Sequence, residues 1–296
     1  MYNYTIIIPH HNIPELLQRC IDSIPLRVDV QVIIVDDNSS AEIVDFEKFP
    51  GLSRPNTEVY FTKEGKGAGY ARNIGLKHAS GRWILFADSD DMFDTDLLSN
   101  QMDKYLNSSS DLIIFNVDVY DADTMQKISV KTEFKEHLLN NTQIDIDWIR
   151  YNFTNPWCKF VKRDLIDSYK INFDEVKAGN DVMFSLKCGF FAEKVLLDKT
   201  VIYKWMFRKC GSISSTISKD YVMSKLNVSA SANRFIYEHN ISSQFRRNLF
   251  IIYIPYFKRT GVSLVKSLYE IFRVTEKRYL FRDLYNLCSY TFQKFI

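Results

Sequence analysis

Residues 83–91 read WILFADSDD: an unbroken apolar run that stops dead in four polar positions, three of them carboxylates. A short apolar run bounded by a polar stop is the pattern of a strand buried on both faces, as in a parallel sheet. Three earlier stretches repeat it. YTIII at 4–8 stops in PHHN, VQVIIV at 30–35 stops in DDNSS, and TEVYFT at 57–62 stops in the glycine-rich KEGKGAG of 63–69. Between the first two, Leu16, Leu17, Cys20, Ile21 and Ile24 recur at helical spacing. Strand runs alternating with helical stripes predict βαβ units: an α/β, Rossmann-like fold whose mainly parallel sheet is flanked by helices. In such sheets ligands bind beyond the carboxyl ends of the strands, so four polar strand ends predict one rim of one site.

Outward from there the chain continues with a strand at 111–117 and an alternating stretch to about 131 that reads as an antiparallel excursion. A helix near 144–151, a strand at 157–161, a helix near 179–190 and strands near Val195 and Ile202 follow. From Ser218 the pattern is helical and aromatic, which suggests an α/β domain at 1–215 and a C-terminal helical extension at 216–296. The 296 residues are 46% hydrophobic and 25% charged with 10 Gly and 7 Pro, values of a globular chain rather than a disordered or collagen-like one. A net charge of +2 lacks the basic excess of a general nucleic-acid binder. That balance is uneven: residues 241–296 carry ten Lys/Arg against three acids, and thirteen aromatics. Five cysteines without a CxxC pair argue against a zinc site or a disulfide framework. With a start, MYNYTIIIPHHN, that has no basic leader pattern, they point to a cytoplasmic protein. The basic, aromatic 241–296 stretch suits peripheral contact with an anionic membrane surface, or packing on the protein itself.

Asp88-Ser89-Asp90-Asp91 carries the most chemistry. In extended backbone, residues two apart point the same way, so Asp88 and Asp90 could offer carboxylates to one hard cation, Mn²⁺ or Mg²⁺; the alternative is a solvated acidic turn. Asp36 and Asp37 end a neighbouring strand and suit metal or a nucleobase, or an Asx turn. Gly65 to Gly69 resembles a phosphate cradle without the spacing of a P-loop. Arg72 lies where a new helix opens and could clamp a phosphate. His10 and His11 are adjacent on a strand and point to opposite faces, which argues against a shared ion.

Taken in order, Pro9-x-His11-Asn12, Val35-Asp36-Asp37-Asn38-Ser39, Gly67-x-x-x-Ala71-Arg72-Asn73-x-Gly75-Leu76 and Phe86-x-Asp88-Ser89-Asp90-Asp91 resemble glycosyltransferase family 2, the inverting nucleotide-sugar enzymes of the GT-A fold. Pro156-Trp157-x-Lys159-Phe160, Asn180-Asp181-Val182-x-Phe184 and, more loosely, Gly211-Ser212-Ile213 after Arg208-Lys209 extend the likeness to about residue 215. The resemblance implies that Pro9, His11, Asp37 and Arg72 surround the uracil of a UDP-sugar donor. Asp88 would sit by ribose and metal, and Asp90 would hold the metal on the diphosphate. Asp181 would be the base that deprotonates a hydroxyl of a glycan or lipid-linked saccharide acceptor of the bacterial capsule, O-antigen or exopolysaccharide kind. Trp157 and Asn180 would border the acceptor, and Arg208 or Lys209 would close over the diphosphate; for Trp157 the plain alternative is core packing, and for Arg208 and Lys209 an exposed loop charge. His11 stands in place of the usual Tyr, Gly65 of a common Asn, and Asn180 of the usual Glu. That last change takes a like charge away from Asp181 and should make it a weaker base. The rival classes are a non-catalytic nucleotide-sugar binder docked as a scaffold, and a phosphotransfer domain. The second fits poorly, because its Asp-x-Asp would follow the first strand rather than the fourth.

Overall fold

The computed structural model describes residues 1–129, 132–140, 142–208, 218–281 and 283–284. They form two compact units: one of Met1–Glu175 with Phe184–Arg208, the other of Val176–Met183 with the C-terminal helices that begin at Lys219.

The first unit is built on a nine-stranded sheet. Its strands are β1 (Tyr4–His10), β2 (Val30–Asp37), β3 (Thr57–Thr62), β4 (Trp83–Phe86), β5 (Met92–Phe93), β6 (Leu112–Asp121), β7 (Lys127–Ile128), β8 (Lys159–Lys162) and β9 (Val195–Phe207). Their spatial order is β3-β2-β1-β4-β8-β6-β9-β5, with β7 beside β6. β1 to β4 pair in parallel, and β8 runs antiparallel between β4 and β6, which leaves β6 and β9 parallel to the first four. The expected mainly parallel α/β sheet is therefore present. Every residue of β1 and β2 is buried, which is why their sequences read as continuous apolar runs rather than alternating ones.

Register brings the polar ends together. His10 lies opposite Asp36, Asp37 opposite Thr62 and Ile7 opposite Phe86, and the Ala87 amide donates to the Ile7 carbonyl at 3.1 Å. Helices α1 (Pro14–Asp22) and α2 (Ala68–His78) follow β1 and β3. α2 lies so close to β1 that a Cβ on Gly75 would fall 2.4 Å from Ile7 Cγ2, so any larger residue there forces the β1–α2 packing to shift.

Elsewhere the pattern was less readable. The two strands expected near Val195 and Ile202 are one strand, β9, whose register against β6 slips on either side of Asn116. Helices α3 (Thr95–Tyr105) and α4 (Glu133–Asn140) precede α5 (Gln143–Asn152), the helix expected near 144–151. α6 (Arg163–Ser168) and α7 (Val182–Phe191) complete this stretch.

The second unit contains α8 (Lys219–Glu238), α9 (Leu249–Arg259) and α10 (Leu264–Val274) around a core of its own, which includes Val222, Leu226, Phe250, Tyr253, Phe257 and Ile271. Thus a share of the C-terminal aromatics is spent on packing. Among the described residues no helix is long and apolar enough to cross a membrane.

Candidate active site

Two acidic strand ends lie at the carboxyl edge of the sheet, and they are built differently. At the end of β2, Asp36 is buried and its partners are all internal. His10 Nδ1 lies 2.7 Å from Asp36 Oδ2, the Ser39 hydroxyl donates to the same oxygen at 2.5 Å, and the Ser39 amide donates to Oδ1 at 3.1 Å. His10 Nε2 accepts the Ile13 amide at 3.1 Å, so the ring proton sits on Nδ1 and points at Asp36. Burial alone would push the Asp36 carboxyl up, but the hydrogen bonds from His10 and Ser39 together hold it below the ordinary carboxylate range. His10 is thus a core residue, and only His11 of the pair faces solvent. Its ring is fixed by the Asp37 carbonyl at 2.9 Å and by Asn12 Nδ2 at 2.9 Å. Pro9 is buried in β1 opposite Val35.

Asp37 is buried as well. Its Oδ1 accepts the Thr62 hydroxyl at 2.7 Å and its Oδ2 accepts the Gly67 amide at 2.5 Å. This changes the reading of the glycine-rich loop: the Gly67 amide is turned toward a carboxylate of the protein, which closes 63–67 onto β2 rather than leaving that amide for a phosphate. Gly67, at φ +89°, then caps α2, and that helix presents Arg72.

At the end of β4 the geometry differs from the extended one expected. Residues 88–91 form a turn, closed by the Asp91 amide on the Asp88 carbonyl at 3.0 Å, so proximity of Asp88 and Asp90 comes from a chain reversal and not from strand alternation. Arg72 Nη2 meets Asp88 Oδ1 at 2.5 Å, and the guanidinium lies over the Phe173 ring at 5.3 Å. Asp90 keeps 34% of its side chain exposed; Arg208 Nη2 stands 4.0 Å from its carboxylate, and Arg19 Nη2 donates to its carbonyl at 2.6 Å. Burial raises the Asp90 carboxyl above its ordinary value, the neighbouring Asp88 raises it further, and Arg208 and Arg19 only partly offset them.

Asp91 has another task. It is buried, and accepts the Tyr203 hydroxyl at 2.8 Å and the Met206 amide at 2.7 Å, while the Tyr203 oxygen accepts the Asp88 amide at 3.0 Å. The turn is thereby bolted to β9. Neither Tyr203 nor Arg19 carries a motif, and both were missed in the sequence. Of the two readings of Trp157, packing is what the structure shows: the ring is 6% exposed and stacks on Tyr203 at 5.2 Å.

The first unit therefore brings His11, Asp37, Arg72, Asp88, Asp90 and Arg208 to one sheet edge. A cleft of about 630 Å³ opens beside Arg19, lined also by Asp22, Asp94 and Lys204, and does not include those carboxylates. Among the described residues no group of three or more His, Cys, Asp or Glu is arranged to hold a metal alone. Lys209 and Gly211-Ser212-Ile213 lie outside the described residues.

Asn180 and Asp181 belong to the second unit. They sit half-buried in the turn before α7, where the Val182 amide donates to the Gly179 carbonyl at 3.2 Å. Ser224 of α8 clamps the segment by exchanging hydrogen bonds with the Ala178 amide at 3.1 Å and carbonyl at 2.9 Å. Arg247 is an electrostatic neighbour of Asp181; burial lowers the guanidinium's pKa, and Tyr253 and Asp181 pull it back.

The glycosyl transferase family 2 model matches residues 5–170. The chain is 25% identical over 227 residues to the glycosyltransferase GlyA of Streptococcus pneumoniae, covering 71% of this chain and 31% of that protein. It is 28% identical over 229 residues to the minor teichoic acid biosynthesis protein GgaB of Bacillus subtilis, covering 74% and 24%. The chain thus spans about a third or less of these two relatives. A crystal structure of S. aureus TarS 1–349 in complex with UDP-GlcNAc superposes with a TM-score of 0.70 at 20% identity, over 94% of this chain and 82% of that one, a likeness of fold.

Proposed function

The chain belongs to glycosyl transferase family 2, and from that premise we propose that it moves a sugar, with inversion, from a UDP-sugar to a hydroxyl of a cell-surface glycan or its lipid-linked precursor. The observation that carries this reading is the β4 turn, where two carboxylates and two arginines meet beside the separate, internally hydrogen-bonded aspartates of β2. His11 and Asp37 form the end that meets the uracil. Arg72, held by Asp88, keeps a cation and a carboxylate in fixed register between base and diphosphate. The complex of TarS with UDP-GlcNAc and the teichoic acid role in the name of GgaB support donor and acceptor class.

A divalent ion fits this donor set: Asp90 is partly open, and its ionised form is disfavoured by burial and by Asp88, a penalty that a cation relieves. Mn²⁺ or Mg²⁺ held by Asp90 and Asp88 would neutralise charge on the departing nucleoside diphosphate. Arg208, 4.0 Å from Asp90, would meet the same diphosphate. Asp181 takes the acceptor proton, and Asn180 can only orient its neighbour through hydrogen bonds, having no charge to lend.

α10 leaves Val265, Tyr269 and Phe272 exposed along one stripe flanked by Lys266 and Arg273, which suits shallow contact with an anionic leaflet on the cytoplasmic side. Sedimentation with anionic vesicles should fall for Val265→Glu; equal sedimentation would leave that stripe without a membrane role. The test of the whole reading is a panel of nucleotide sugars with Mn²⁺, scored by binding and slow donor hydrolysis. In the transfer assay, Asp181→Asn should keep UDP affinity and lose roughly 100-fold or more in rate; equal transfer would remove Asp181 from the mechanism.

A further inference from the structure

β9 is parallel to β4, so its carboxyl end opens on the same edge of the sheet as the Asp88–Asp91 turn. Alternate residues of a strand share a face, and here that face carries Tyr203, Trp205 and Phe207 in succession. Tyr203 is fully buried under Trp157, whereas Trp205 is 40% and Phe207 39% exposed, with their rings edge to face at 6.0 Å. The Trp205 ring continues the Trp157 stack at 6.4 Å. Two indoles and a phenyl ring thus form a row whose inner end is packed and whose outer end is bare.

Two separate links tie this row to the acidic turn. The Tyr203 hydroxyl bridges Asp91 and the Asp88 amide. On the other side, the Ala122 amide donates to the Phe207 carbonyl at 2.9 Å. The same β6–β7 turn carries Met125, 46% exposed, whose sulfur meets Arg19 Nη1 at 3.8 Å while Arg19 Nη2 holds the Asp90 carbonyl. An apolar patch left open for no purpose would not need rigid attachment to the reactive turn at both ends. The strand order also fixes which substrate it serves. The base-side residues lie on β1, β2 and β3, the acidic turn ends β4, and β9 borders that turn from the opposite side, paired with β5 and joined to the turn through Tyr203 and Met206.

Resting on the transferase reading above, we propose that Trp205 and Phe207 form the platform on which a pyranose ring of the acceptor stacks, so that the acceptor presents a sugar ring rather than a bare polyol-phosphate chain. The apolar C–H face of a pyranose matches an indole face in size and polarity, while a polyanion would gain nothing from neutral rings.

The experiment uses the full chain with Trp205→Ala and Trp205→Phe, each checked for folding by UDP affinity in calorimetry. Of the four tryptophans Trp83 and Trp157 are buried and Trp148 is half-buried against His137, so acrylamide quenching of tryptophan emission is weighted toward Trp205, and the Trp205→Phe protein supplies the Trp148 background. Methyl β-glycosides of glucose, galactose and N-acetylglucosamine, and poly(ribitol phosphate), serve as probes. Protection from quenching by at least one glycoside, lost in Trp205→Phe, is expected. In transfer assays Trp205→Ala should raise the acceptor KM roughly tenfold, with Trp205→Phe in between. Protection by poly(ribitol phosphate) alone, or an unchanged acceptor KM in Trp205→Ala, would overturn the platform. Because quenching needs no turnover, it judges the platform even where the wild type hydrolyses no nucleotide sugar, an outcome that would sink the proposed function instead.

Discussion

The ends of β2 and β4 are both rows of aspartates at one sheet edge, yet they solve opposite problems. At β2, Asp36 and Asp37 are buried and their carboxylates are met by neutral donors of the protein: a histidine ring, two hydroxyls and two amides. At β4, Asp88 and Asp90 lie close in like charge, one arginine touches Asp88, and the Asp90 carboxylate has Arg208 no nearer than 4.0 Å. A carboxylate whose hydrogen bonds are met from within shapes a pocket. One whose charge is undercompensated is poised to take a cation or a cationic ligand. The two ends should therefore respond differently to the same Asp→Asn change.

The largest difference is expected in turnover. Asp90→Asn should lose roughly 100-fold or more in donor turnover, because a charge that stabilises the departing diphosphate goes with it. Chelator should reduce the wild type to a similar level. Full activity in excess chelator would mean that β4 works through its arginines alone.

The same substitution at β2 should act on folding. Asp36→Asn places an amide NH₂ where Oδ1 or Oδ2 now accepts, facing Ser39 or the His10 Nδ1 proton; moving that proton to Nε2 would set it against the Ile13 amide. One buried donor stays unmet in each arrangement, at about 2 kcal/mol. Chemical denaturation measures it, and a stability equal to wild type would show that β2 is not the closed network described.

A smaller effect separates the two ends by ligand. Asp37→Ala should weaken uridine and UDP alike, by roughly tenfold or about 1.4 kcal/mol. Asp90→Asn should weaken UDP in the presence of Mn²⁺ and leave uridine unchanged. Calorimetry with both ligands gives the answer, and a loss of uridine affinity in Asp90→Asn would erase the distinction between base and phosphate ends.

What the sequence made legible follows from the same contrast. Strand ends announce themselves because an apolar run must stop where water begins, and that placed His11, Asp37, Arg72, Asp88 and Asp90 on one rim. The division of labour within each row was not readable. Asp36 and Asp37, or Asp90 and Asp91, are identical letters whose roles are set by partners 3 to 115 positions away, such as Ser39, Thr62 and Met206. Arg19 lies on α1, between residues read as an apolar stripe, and Tyr203 lies in a strand whose slipped register broke its alternation. The turn at 88–91 reads as extended chain in the sequence because both geometries bring residues two apart together. The segment 176–183 reads as part of the first domain, yet it is grouped with the C-terminal helices, since what clamps it is Ser224, more than forty residues on.

The smallest effect is the most specific, because its sign reverses between the two ends. Asp36 has a lowered pKa in the folded protein, so its ionisation contributes stability that is fully present above the unfolded value near 3.9 and is lost as pH falls through the lowered one. Asp90 has a raised pKa, from burial and from Asp88, so in metal-free protein its ionisation opposes folding: stability is lost as pH rises from the unfolded value through the raised one. Removing the charge should then destabilise at β2 and stabilise at β4. At pH 7 without metal, Asp90→Asn should unfold roughly 1–2 °C above wild type, a small shift because a third of the side chain faces solvent and is screened. The gain should vanish near pH 3, where the wild-type carboxyl is protonated as well. Mn²⁺ should raise the wild-type midpoint past that of the variant, since only the wild type keeps both carboxylates. Differential scanning calorimetry from pH 3 to 7, with and without Mn²⁺, provides the comparison. An Asp90→Asn protein less stable than wild type in chelator at pH 7 would mean that Arg19 and Arg208 already satisfy Asp90, and that the β4 end is as closed as the β2 end.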